Sequence, residues 1–164
     1  MNNLEVKRYK YSIENVKGDV NMMDIPKIEV GKSITVQRTV KKEDTALNYG
    51  SGKLEKLFAT PSLVALMIEA SVKLLDDKLP EGFITIGKKV EIVHEKPTQL
   101  DETVSVKVEV KNYDGNKIDI DMIAYDEIGI VGRGSHQRIV VNKKSLLEKA
   151  EKRAEKLKNM DFYR

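Results

Sequence analysis

Cysteine is absent from all 164 residues, which excludes a disulfide framework, a thiolate metal site and a cysteine nucleophile. Tryptophan is absent too, and aromatic residues make up only 5%, so the basic side chains lack the interleaved aromatics of a nucleic-acid surface. No long apolar run occurs. The longest, Leu63 to Ile68, is far short of the ~20 residues a membrane span needs. The first residues, "MNNLEVKRYKYS", hold no apolar core of a signal peptide. Neither sign of charge dominates: 29 basic against 26 acidic residues leave a net +3, too little to argue for a polyanionic partner and no obstacle to an anionic ligand. These absences imply a cytoplasmic protein with no membrane and no nucleic-acid partner.

What is present suits one soluble domain. The apolar share is 40% and the charged share 34%, over a length that normally forms a single core. Residues 1–27 are weakly patterned and are set apart as an N-terminal extension. From Ile28 the pattern sharpens. "SITVQRTV" (33–40) puts Ile34, Val36 and Val40 on one face of a strand. A polar stretch with two glycines, 41–58, leads into "ATPSLVALMIEASVKLLDDKLPEG", which reads as a helix over about 60–79. Thr60 suits its N-cap and Pro61 its first helical position. Pro80 and Gly82 lie beyond its end. Because Leu63 to Ile68 is apolar on every side, the helix is expected to be enclosed.

Strands follow in quick succession. In 87–95 Val90, Ile92 and His94 share one face; in 103–110 Val104, Val106, Val108 and Val110 do. An Asp-Gly turn in "NYDGNK" leads to 118–126, with Ile118, Ile120, Met122 and Ala124 inward. A turn at "DEIG" leads to 130–141. The tail 145–158 opens on a capping box, Ser145 and Glu148, and carries a stripe of Leu146, Ala150, Ala154 and Leu157. It reads as an amphipathic helix docked on the domain. The units are therefore 1–27, a domain over 28–142, and a helical tail over 143–164. A buried helix among antiparallel strands is an α+β arrangement, best satisfied by a curled sheet wrapped around the helix, the hot-dog architecture.

"GSG…LFATPSLVALM", "TIG…V.I.H…PT" and "VGRGSHQRIVV" together resemble the hot-dog thioesterase family typified by fluoroacetyl-coenzyme A thioesterase, in the same order and with compatible spacings from about Ile28 to Val141. The resemblance implies hydrolysis of a small acyl-coenzyme A thioester by a homodimer, with no cofactor beyond the coenzyme A of the substrate. It puts the family's active-site threonine on Thr60 and its histidine on His94. The glycine whose N–H lies near the substrate carbonyl falls on Gly87, and the substrate-contacting arginine on Arg138. The chain departs from the family at Ile68, where a glutamate is usual. Glu69 is the next residue, but one step turns a side chain by ~100° around a helix.

Each residue also has a plainer reading. His94 is a satisfied core histidine, Thr60 a helix cap, Gly87 a strand-start glycine, and His136 with Arg138 a solvated positive edge. No ligand spacing supports a metal site, and "GSGKLEK" lacks the spacing of a phosphate loop. Two functions follow: an acyl-coenzyme A thioesterase, or a non-catalytic acyl-coenzyme A binder that lost turnover with the glutamate. A hydratase is disfavoured by the lack of an Asp/Asn…His signature.

Overall fold

The computed structural model describes residues 28–161; the expected extension over 1–27 lies outside them. Five strands, β1 (Ser33–Thr39), β2 (Phe83–His94), β3 (Thr103–Asp114), β4 (Lys117–Tyr125) and β5 (Ile130–Asn142), form one antiparallel sheet in the order β1-β3-β4-β5-β2. The helix α1 (Thr60–Leu75) packs against it. This is the helix-wrapping sheet expected from the pattern.

Alternation accounts for the middle of the sheet. Val104, Val106, Val108 and Val110 are buried, as are Ile118, Ile120, Met122 and Ala124, because successive side chains of a strand point to opposite faces. Register places Val106 beside Ala124 and Val108 beside Met122, so the two rows form one apolar surface. Leu63, Leu66, Met67, Ala70 and Leu74 recur at helical spacing along α1 and are buried on that surface. Each such leucine or methionine contributes about 1.5–3 kcal/mol over its exposed state.

Several boundaries differ from the sequence reading. α1 starts from Ala59 as N-cap, not from Thr60, and Pro61 is the second helical residue; no side chain caps the helix. The Thr60 hydroxyl has a stronger use, described below. Nor is α1 enclosed on all sides: Pro61 and Ala65 are exposed, and Val64, Ile68 and Val72 are half-buried. β2 begins at Phe83, four residues early, and carries a bulge between Gly87 and Lys89. The hairpin after β3 turns on Gly115 and Asn116, with Asp114 paired to Lys117 and Gly115 at φ 62.

The second helix, α2 (Lys143–Asp161), follows β5 with no intervening loop. Its cap is Asn142, whose Oδ1 accepts the Ser145 N–H at 3.0 Å, so Ser145 is not the cap. Nor is the helix docked. Leu146 is half-buried, but every residue from Leu147 to Met160 is exposed, because a helix continuing straight out of a strand leaves the sheet behind. Among the described residues no helix is long and apolar enough to cross a membrane.

Candidate active site

The end of β2 meets the start of α1. His94 is the last residue of β2 and faces Gly132 of β5. A Cβ added to Gly132 would lie 3.0 Å from Leu63 Cδ2 and 3.8 Å from His94 Cα. The missing side chain therefore lets the first turn of α1 settle beside the histidine. The result is a hydrogen bond of 2.9 Å between Thr60 Oγ1 and His94 Nδ1. Phe58, buried just before α1, presents its ring edge-on to the imidazole, with centroids 6.2 Å apart and planes at 77°.

Burial pushes the His94 pKa below the ordinary histidine value, while the Lys96 backbone works in the opposite direction. The neutral ring is thus favoured near neutral pH, with a nitrogen able to accept the Thr60 proton. Nε2 is buried with no hydrogen-bond partner among the described residues. The first turn of α1 adds backbone N–H groups that no helical carbonyl can take up, and the positive end of the helix dipole.

Gly87 and Arg138 lie together, opposite one another on β2 and β5. Arg138 is only 4% exposed, not part of a solvated edge. Its Nε donates to Thr85 Oγ1 and its Nη2 to the Thr85 carbonyl, both at 2.7 Å. His136 is also buried, and its imidazole supports Gly87 from beneath: a Cβ on Gly87 would lie 2.9 Å from His136 Nε2. Burial first, and the Arg138 charge second, push the His136 pKa down to about 4, so this ring is neutral at pH 7. Thr60 and His94 do not join Gly87 and Arg138 within one chain. His94 lies seven positions along β2 from Gly87, a span of roughly 20 Å at strand rise.

Glu69 is nine residues after Thr60, a half-turn around the helix at ~100° per residue. It pairs with Arg38 of β1 and with Lys73. Ile68 is half-buried on the open flank of α1. Sequence reasoning passed over Thr85 and Asp76, whose carboxylate accepts from the Thr85 N–H at 3.2 Å and from its hydroxyl. One signal was available: an acid near the C-terminal end of the helix expected over 60–79, where the helix dipole disfavours it; α1 in fact ends at Leu75, with Asp76 as its C-cap.

The sequence profile of the fluoroacetyl-CoA-specific thioesterases matches residues 40–144, spanning α1 and all strands but β1. The chain belongs to that family. The fluoroacetyl-CoA thioesterase of Streptantibioticus cattleyicolor is 29% identical over 87 residues, 53% of this chain and 63% of that protein; the family member thus spans less than two thirds of its curated relative. A hot-dog-like protein from Thermanaerovibrio acidaminovorans is similar in structure, with a TM-score of 0.72, 31% identity, and coverage of 76% of this chain and 91% of the other. A solved structure of the fluoroacetyl-CoA thioesterase has the same fold at a TM-score of 0.72 and 23% identity, covering 77% of this family member and 98% of that chain.

Proposed function

We propose that this family member is a cytoplasmic hydrolase of small acyl-coenzyme A thioesters, acting as a homodimer. The observation that carries the reading is the 2.9 Å contact between Thr60 Oγ1 and His94 Nδ1 at the N-terminus of α1. Thr60 passes its hydroxyl proton to Nδ1 of the neutral imidazole as Oγ1 takes the proton of a water whose oxygen attacks the thioester carbonyl carbon. The charged ring then donates from Nδ1 to Thr60 Oγ1, which turns the threonine proton toward the developing oxyanion, beside the helix terminus. When the C–S bond breaks, His94 returns its proton to the departing thiolate, leaving the free acid and coenzyme A.

Gly87 N–H and Arg138 serve this carbonyl only across a dimer. β2 is an edge strand, and an antiparallel pairing of two copies centred between Val90 and Glu91 brings Gly87 of one chain level with the partner's His94. The open apolar flank of α1, with Val64, Ala65 and Ile68, supports the same association. Each site then takes Thr60 and His94 from one protomer, and Gly87 and Arg138 from the other.

Ile68 favours a second reading. Without the glutamate usual at that position, the chain binds acyl-coenzyme A and does not turn it over. Thiol release from a panel of short acyl-coenzyme A substrates separates the two. The thioesterase reading expects release that His94→Ala abolishes. Binding without release, or equal rates for wild type and His94→Ala, overturns it.

A further inference from the structure

We propose that Asp76 is a positioning residue for Arg138: through Thr85 it holds the guanidinium with Nη1 beside Gly87, where it takes an acceptor oxygen of the bound substrate. This rests on the reading of Arg138 as a substrate contact. Asp76 is the C-cap of α1, the end where a carboxylate is opposed by the helix dipole, so a charged group there calls for a partner. That partner is Thr85, which is buried and gives Asp76 Oδ1 both its N–H and its hydroxyl proton.

The direction of these bonds is forced. A carboxylate only accepts, a guanidinium only donates, and a hydroxyl has a single proton. With that proton on Asp76, the Thr85 oxygen must present a lone pair to Arg138 Nε. The Thr85 carbonyl takes Nη2, and two bonds to one residue fix the guanidinium plane. Among the described residues Arg138 has no carboxylate at ion-pair distance; burial lowers its pKa, and the charge of Asp76 opposes that, favouring the protonated form. Nη1 has no hydrogen-bond partner among the described residues. It lies 3.8 Å from where a Cβ of Gly87 would be, and Gly87 is exposed. A strongly donating group, fully charged and unable to rotate, thus borders the open side of the strand at the residue whose N–H is assigned to the substrate carbonyl.

Two measurements on the full-length protein test the relay. In a double-mutant cycle on a short acyl-coenzyme A, Asp76→Ala is expected to lower kcat/KM by roughly tenfold, the scale of a lost hydrogen bond to a charged group. In an Arg138→Lys background it should add almost nothing. Effects that simply multiply overturn the proposal. The second readout is proton exchange at the Arg138 Nε–Hε group, assigned in the ¹⁵N spectrum by its loss in Arg138→Lys. Exchange should quicken at least tenfold in Asp76→Ala, by the same hydrogen-bond scale, and stay near wild type in Thr85→Ser, which keeps the hydroxyl. Unchanged exchange in Asp76→Ala, with or without a lowered Tm, reduces Asp76 to a structural role. If the wild type releases no thiol from any substrate, the thioesterase reading fails on its own, and the exchange measurement still decides for or against Asp76.

Discussion

Thr60 is a hydroxyl diverted from one duty to another: it leaves the helix uncapped by any side chain and meets His94 instead. Its substitutions should therefore separate activity from stability. Thr60→Val is expected to lose most turnover while its Tm stays close to wild type, since no cap worth ~0.5–2 kcal/mol is being removed. Thr60→Ser should recover much of the rate. Equal rates for the two variants in a thiol-release assay would take Thr60 out of the mechanism. The second histidine makes a different kind of prediction. His136 is buried beneath Gly87 with a pKa of about 4, whereas an unfolded chain holds a histidine near ~6.5. The unfolded state therefore binds more protons between those values, so the contribution of His136 to stability is complete above about pH 6.5 and is lost as pH falls toward 4. Thermal melts across that window should fall more steeply for the wild type than for His136→Gln. Parallel curves would show that the ring is protonated at no cost.

At the level of elements, α1 and β2 decide what the site contains. Glu69 leaves α1 on the far side from Thr60 and is tied to Arg38 and Lys73. Glu69→Gln is therefore expected to lower thiol release far less than His94→Ala; a complete loss would mean that its carboxylate takes part after all. In β2, Gly87 sits at the bulge directly over His136. Gly87→Ala should cost about 1–3 kcal/mol of stability in denaturant melts, as overpacking does, and should also depress activity. An unchanged melt would show that the His136 ring moves aside freely. The middle strands were legible beforehand because one period of two governed them: Val104, Val106, Val108 and Val110, and Ile118, Ile120, Met122 and Ala124, recur at every second residue, and all eight are buried. The start of β2 was not. Phe83 to Ile86 is apolar on nearly every residue, so no alternation marks it as a strand. The pairs Thr60–His94 and Thr85–Asp76 join residues 34 and 9 positions apart, and no local period records such contacts. The family resemblance singled out Thr60 and His94, which the fold brings within 2.9 Å of each other, but the separation of Gly87 from His94 needed the strand to be laid out. The capping boundaries of both helices failed for a simpler reason: Thr60 and Ser145 had competitors, Ala59 and Asn142, that only backbone geometry distinguishes.

The whole molecule, in the arrangement proposed, is two chains sharing two sites, and this has a direct test. His94→Ala and Arg138→Ala should each be inactive alone. Mixed and allowed to exchange subunits, they should regain about a quarter of the wild-type rate, because half of the dimers are mixed and each mixed dimer restores one site of two. No recovery after exchange would place both residues in sites built from one chain. The exposed helix α2 bears on the same molecule from outside. From Lys143 to Asp161 it carries seven basic and four acidic side chains, a balance of +3 that equals the formal charge of the entire chain. The remaining residues therefore cancel. Within the described residues, 28–142 carry 16 basic and 18 acidic side chains, so the excess positive charge of the described residues rides on α2 at the end of β5, and at long range they form a dipole with a marked pole rather than a uniformly basic surface. An acyl-coenzyme A, with its phosphates, would be drawn first toward that pole and only then find its pocket, a drift that fades beyond about 8–10 Å in physiological salt. Neutralising Lys149, Lys152 and Lys156 to glutamine should accordingly flatten the salt dependence of kcat/KM and leave kcat alone, marking α2 as a part of the protein that governs how often substrate arrives and not what happens to it afterwards.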